Sequence, residues 1–383
     1  MGWRIETRIV RGSKGSDPYT GAISFPIYQT ATFRHPGLGE TTGYDYSRSE
    51  NPTREEVEKT MASLENGKAG FAFASGMAAI ANILELFSFG DHLLVSDDLY
   101  GGTYRLFEEI SRRHGLQFTY INTCIKENVI EAIQGNTRAI FIETPSNPMM
   151  KVTDIRFIVH VAQSRNILTI VDNTFLTPYF QRPLELGADI VVHSGTKYLS
   201  GHNDTLSGFV IVKDERLEER LRLIQRSIGA TLAPIDSWLV LRGLKTLAIR
   251  LERQQQNALV IAKWLKEHRQ VEKVHYVGLP DHEGYDISKQ QASGFGAMIS
   301  FSVKDAALAE GVFSRVKLIA FAESLGGVES LITYPITQTH ASIPKEIREK
   351  LGVNERLLRL SVGIEAVEDI ITDLEQALDK PAT

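Results

Sequence analysis

The sequence predicts an α/β protein: a large domain built on a mostly parallel sheet, followed by a smaller C-terminal α/β domain. Three observations carry this. Between residues 55 and 230, short apolar runs alternate with amphipathic stretches of helical period, the rhythm of βαβ units in a sheet covered on both faces. After residue 231 the rhythm changes to one long helical region followed by more widely spaced runs. At 383 residues, with 43% hydrophobic and 23% charged residues, the chain exceeds one ordinary domain and can fill a large core.

Taken in order, residues 1–54 are rich in Gly, Pro, Thr and Tyr and lack periodicity, which predicts an extended arm. Such an arm has too little core to fold alone and is expected to lie on a neighbouring subunit. In the large domain, 55–230, strands are expected at 69–74, 92–96, 117–121, 139–143, 168–172, 190–194 and 208–212. Helices such as 103–114 and 154–165 fall between them. In the C-terminal domain, 231–383, a long helix over 237–268 leads to strands at 271–277, 298–302, 318–322 and 357–362. A helix over 366–378 follows.

Bulk properties exclude several classes. The net charge is −5 and no dense Lys/Arg tract occurs, so neither nucleic acid nor an anionic membrane is an expected partner. Residues 70–90 are largely apolar, but Ser75, Gly76, Asn82 and Glu85 interrupt them, which predicts a strand, a turn and a buried helix rather than a span. Residues 1–11 mix charged and apolar side chains and lack a secretory apolar core. The single cysteine, Cys124, permits no intrachain disulfide and no cysteine metal cluster; no metal site is expected, and a reducing cytoplasm suits the chain. Cys124 itself is expected to be a partly buried small residue.

In parallel α/β sheets, ligands collect beyond the carboxyl ends of strands. There the run 168–175 places Asp172, and the run 190–198 places Ser194, Thr196 and Lys197. Taken alone, Asp172 reads as a cap or turn residue and Lys197 as a solvated charge. Together they read differently. A desolvated lysine amine is nucleophilic toward an aldehyde. An acid on the adjacent strand keeps a pyridine nitrogen protonated, and the hydroxyls of Ser194 and Thr196 suit a phosphate. Residues 74–79 add a strand-to-helix turn at Gly76, whose helix-start N–H groups bind anions.

Seven segments extend this reading: 44–54 (YDYSRSENPTR), 98–105 (DLYGGTYR), 143–148 (ETPSNP), 171–175 (VDNTF), 194–198 (SGTKY), 322–327 (AESLGG) and 359–365 (RLSVGIE). In this order, over nearly the whole chain, they resemble the Cys/Met-metabolism family of pyridoxal 5′-phosphate (PLP) enzymes. That family includes cystathionine γ-synthases, cystathionine β- and γ-lyases, methionine γ-lyases and O-acylhomoserine sulfhydrylases. The resemblance implies an aspartate-aminotransferase-like, fold type I PLP-dependent transferase architecture. It implies Lys197 as the lysine that carries PLP as a Schiff base and moves protons, and Asp172 as the partner of the pyridine nitrogen. Gly76, Met77, Ser194 and Thr196 would hold the phosphate from one subunit, with Tyr46 and Arg48 reaching it from the neighbouring arm. Tyr100 would stack on the ring and take part in proton transfer. Arg359, assisted by Asn147 and Ser324, would clamp the substrate carboxylate. A homotetramer, a dimer of active-site-sharing dimers, is implied as well.

Within the family, Glu323 is similar to the acid carried by the cystathionine-handling γ-synthases and γ-lyases, where it would attract a distal amino group or exclude uncharged thioethers. Residues 332–340 (ITYPITQTH) and 201–204 (GHND) look most like the cystathionine γ-synthase/O-acylhomoserine thiolyase type, although Asn203 replaces the serine common in the wider family. The expected reaction is Cγ replacement: an O-acylhomoserine plus cysteine giving cystathionine, with sulfide as a further nucleophile. Cystathionine γ- or β-lysis is the alternative, followed by aminotransfer and then a non-enzymatic protein on the same fold. Neither of these last two explains the full set of site residues.

Overall fold

The computed structural model describes residues 2–379. Helix α1 (Ile5–Arg11) precedes a long irregular segment, and α2 (Pro52–Leu64) leads into a seven-stranded sheet. Its strands are β1 (Ala69–Phe73), β2 (His92–Ser96), β3 (Gln117–Ile121), β4 (Thr137–Glu143), β5 (Leu168–Asp172), β6 (Ile190–Ser194) and β7 (Gly208–Val212), in the order β1-β7-β6-β5-β4-β2-β3. Strands β3, β2, β4, β5 and β6 run parallel, while β7 is antiparallel to both β6 and β1. The sheet is mostly parallel, as the sequence predicts.

Alternation along each strand divides the side chains between two cores. Leu93 and Val95 of β2, with Phe141 of β4 and Ile170 of β5, pack into one layer together with Phe107 and Phe118. Leu94, Ile140, Ile142 and Val171 face the other way, onto Ile155, Ile158 and Val159 of helix Ile155–Gln163. Burial on both faces is why these strands read as continuous apolar runs.

The reversed direction of β7 shapes one edge of the sheet. Phe73 pairs with Gly208 and Gly208 with Ser194, so the end of β1, the start of β7 and the end of β6 meet in one row. Glu143 pairs with Asp172 beside them. Helix α3 (Gly76–Leu84) starts from this row.

A second sheet holds β8 (Val271–His275), β9 (Met298–Val303), β10 (Ala320–Phe321), β11 (Leu331–Thr333) and β12 (Leu357–Ser361), in the order β10-β11-β12-β9-β8 and antiparallel except at β10–β11. Arg359 sits mid-strand, paired with Thr333 on one side and Ser300 on the other.

Several local expectations are corrected. The arm is not wholly extended: Ile9 of α1 is 2% exposed and joins the core shared with Val57 and Met61 of α2, and Arg8 Nη1 donates to Ser63 O at 2.5 Å. The long helix divides into Pro234–Leu244 and Leu247–Glu267. Buried Arg250 stabilises the break, donating to Gly243 O (2.9 Å), Thr246 Oγ1 (3.1 Å) and Tyr198 O (2.8 Å). The predicted helix at 103–114 is three short pieces of different pitch: Gly101–Arg105, Leu106–Ile110 and Ser111–His114. Strand β11 was not predicted, and Cys124 is exposed rather than partly buried. Among the described residues, no helix is long and apolar enough to cross a membrane.

Candidate active site

Ser75 caps α3, its Oγ accepting the Ala78 N–H at 3.1 Å. The N–H groups of Gly76 and Met77, in the first turn, have no intrahelical acceptor, and the positive end of the helix lies there. Glycine is required at 76 by proximity: a Cβ would lie 2.9 Å from Ser194 Cβ and 3.1 Å from Ser194 Oγ. The Thr196 hydroxyl is occupied by backbone, donating to Ser207 O at 3.2 Å and accepting from Ser207 N–H at 3.1 Å.

Lys197 follows this cup. Its Nζ donates to Ser324 Oγ at 2.9 Å. Burial lowers the amine to about 8; the Arg359 charge acts in the same direction and Glu323 opposes it.

Asp172, at the end of β5, accepts at Oδ1 from both Thr174 N–H (3.0 Å) and Thr174 Oγ1 (2.6 Å). Thr174 Oγ1 in turn accepts the Ser194 N–H at 2.9 Å, fastening the ends of β5 and β6 together. Burial raises the Asp172 carboxyl while the Thr174 bonds hold it down. Glu143 alongside is raised well above the usual range, first by burial and then by the charge of Asp172. Two adjacent carboxyls in such surroundings cannot both ionise cheaply; Glu143 is the one raised further, while the Thr174 bonds favour charge on Asp172.

Tyr100 N–H donates to Glu143 Oε2 at 3.0 Å, and its phenol is raised by burial and by Glu323. Across the cavity, Arg359 is 1% exposed. It donates to Asn147 Oδ1 (2.9 Å), Ser324 O (2.9 Å) and Thr333 Oγ1 (3.1 Å), while its buried Nε has no partner. Ser324 bends into this arrangement with φ 123°. Asn147 lies between Pro145 and Pro148, both preceded by cis peptide bonds.

All the sequence-predicted site residues except Tyr46 and Arg48 line one cavity of about 200 Å³. Tyr46 and Arg48 are exposed: Arg48 Nη1 bonds Arg226 O, and its guanidinium lies 5.6 Å from the Tyr46 ring centroid. Glu143, Thr174 and Thr339 were not singled out from the sequence. Glu143 was accessible to the strand-end rule that selected Asp172; Thr174 and Thr339 carry no comparable signal.

Residues 6–379 match the profile of the Cys/Met metabolism PLP-dependent enzyme family. The chain belongs to this family. Its members most similar to the chain include a cystathionine beta-lyase of Lactococcus lactis subsp. cremoris, 49% identical over 376 residues that cover 98% of this chain and 99% of the relative. A cystathionine gamma-synthase/O-acetylhomoserine (thiol)-lyase of Bacillus subtilis (strain 168) is 50% identical over 378 residues, 99% of this chain and 97% of the relative. Among solved structures, cystathionine gamma-lyase from Lactobacillus plantarum, complexed with L-serine, superposes with a TM-score of 0.96 at 46% identity, covering 98% of each chain. The chain is therefore a PLP-dependent enzyme of fold type I. Its cavity fits that cofactor: an anion cup closed to any side chain at Gly76, a half-buried amine lowered to about 8, and the Asp172 carboxyl at the neighbouring strand end, held by Thr174.

Proposed function

We propose that the enzyme catalyses Cγ replacement, joining an O-acylhomoserine and cysteine to give cystathionine, with sulfide as a second nucleophile. The observation that carries this reading is Glu323. It lines the cavity beside Lys197 and Arg359, where its charge acts on both groups. An α-amino acid anchored at Arg359 would extend its γ end away from the clamp. A carboxylate lining the same cavity favours a second α-ammonium group, as in cystathionine, over an uncharged thioether.

In this reading Gly76, Met77 and Ser194 would hold the cofactor's phosphate, joined by Thr196 once its hydroxyl turns from Ser207 O, while Asp172 would serve the pyridine nitrogen and Lys197 would hold the aldehyde carbon. When bound, PLP supplies an aldehyde that captures the substrate amine and a ring that accepts the electrons released at Cα. Lys197, once freed, takes the Cα proton, and an amine lowered to about 8 has a usable neutral fraction near neutral pH. Loss of a γ substituent needs a second proton taken from Cβ, which Lys197 would accept only after giving up the first. Tyr100 would pack on the ring and pass a proton through its phenol. Arg359, oriented by Asn147 and Ser324, forks the substrate carboxylate. Tyr46 and Arg48 act from a second copy of the chain, in a tetramer of two such dimers; the exposure of both side chains supports an intermolecular role.

A second reading, cystathionine lysis, draws support from relatives of similar identity named as beta- and gamma-lyases. Product analysis separates the two. New cystathionine from O-acylhomoserine plus cysteine supports replacement. Pyruvate from cystathionine marks β-lysis and 2-oxobutyrate marks γ-lysis, and either without synthesis overturns the first reading.

A further inference from the structure

Two buried carboxyl groups that the proposed chemistry does not use tie together the two loops flanking the cavity. Asp98, two residues before Tyr100, is 1% exposed. Its Oδ2 accepts from Ser146 Oγ and from Met149 N–H at 3.2 Å, so it grips the Asn147 loop on both sides of Asn147. Its Oδ1 is buried without a partner, and burial pushes the carboxyl up to about 6. Glu143, four residues before Asn147, reaches the opposite way, and its Oε2 accepts the Tyr100 N–H at 3.0 Å. Each loop thus carries an acid that grips the other.

The Asn147 loop has further anchors. Lys151 N–H donates to Ser146 Oγ at 2.9 Å, Ser300 Oγ donates to Pro148 O at 2.6 Å, and His340 Nε2 lies 3.0 Å from Asn147 O. His340 also bonds the Leu99 backbone and Lys151 Nζ donates to Asp97 Oδ1 at 3.1 Å, so both brace the residues before Tyr100. The two carboxyls act closer in, on Tyr100 N–H itself and on the two residues flanking the amide that orients Arg359.

We propose that Asp98 and Glu143 form a reciprocal latch, two positioning residues that hold Tyr100 against the cofactor and Asn147 on Arg359 at the same time. The proposal rests on the roles given above to Tyr100 and Arg359. Removing Asp98 leaves a buried N–H and a buried hydroxyl without an acceptor, and the loop must shift to rehydrate them. Asn147 then no longer fixes the guanidinium. An asparagine at 98 retains one oxygen acceptor in the same place.

The test uses the PLP-loaded enzyme and L-alanine, which has no leaving group. Its affinity, read from cofactor absorption, reports the carboxylate clamp whether the chain makes or cleaves cystathionine. Asp98→Ala is expected to weaken L-alanine binding about 10-fold. Asp98→Asn should recover the affinity to within about threefold. Glu143→Ala should change the visible circular dichroism of the bound cofactor through Tyr100. The double alanine variant should lose less than the product of the single losses, as coupled residues do. Should Asp98→Ala fail to fold, Ser146→Ala removes one donor and leaves the acid, with an expected loss of about threefold. Unchanged L-alanine affinity in whichever of these alanine variants folds, no recovery by asparagine, or strictly multiplicative losses would each overturn the latch.

Discussion

Replacing Arg359 by lysine keeps a positive charge and removes a fork, which makes it the sharpest test of the substrate clamp. The guanidinium is 1% exposed and held by three acceptors at 2.9, 2.9 and 3.1 Å, leaving a buried Nε donor uncommitted. A lysine ammonium is a point charge on a flexible stem and cannot satisfy Asn147, Ser324 and a carboxylate in one plane. Taking two charge-assisted hydrogen bonds as lost at about 1.5 kcal/mol each gives about 3 kcal/mol, or roughly 100-fold in apparent substrate affinity. Steady-state kinetics on a turned-over substrate should show this in KM, with kcat less affected. A thermal unfolding scan checks that the buried site tolerates the change. A properly folded Arg359→Lys enzyme whose KM moves less than about threefold would refute the clamp.

Three further outcomes are expected. Cofactor capture by the apoenzyme requires the neutral Lys197 amine, so its rate should rise with pH and level off above about 8. Arg359→Gln removes a charge that lowers the amine, and should move that limb to higher pH in stopped-flow absorption. Gly76→Ala puts a methyl group 2.9 Å from Ser194 Cβ, inside contact distance, and should weaken PLP affinity about 10-fold in equilibrium titration and destabilise the apoenzyme by about 1 kcal/mol in denaturant unfolding. Glu323→Gln should reduce preference for substrates bearing a distal ammonium about 10-fold, read as a ratio of kcat/KM values against a neutral thioether analogue.

Some of the site was legible because strand ends can be read one residue at a time. The run 168–172 is apolar until Asp172, and 190–194 is apolar until the hydroxyls and lysine that follow, so the parallel-sheet rule pointed to both without knowledge of strand order. The same rule, applied to 137–143, would have reached Glu143. Strand β11 was missed because three residues, Leu331–Thr333, are too few to establish a period; its place is set by pairing with β12 and β10. The break at residues 245–246 was missed for a related reason. Its helical pattern is nearly continuous, and the buried Arg250 that stabilises the turn bonds Tyr198, 52 residues away.

By itself, the sequence determined the alternation of elements, the strand-end chemistry at Asp172, Ser194 and Lys197, and the turn at Gly76, since all are local consequences of side-chain period and backbone freedom. Tertiary structure alone decided which strand ends meet. The reversal of β7 brings Ser194 against Gly76, and the second sheet brings Arg359 to Asn147 across 212 positions of sequence. Those contacts depend on packing between layers that no local pattern encodes, and with them come the lowered amine of Lys197 and the paired carboxyls of Glu143 and Asp172, because burial and neighbouring charge exist only once the chain has folded.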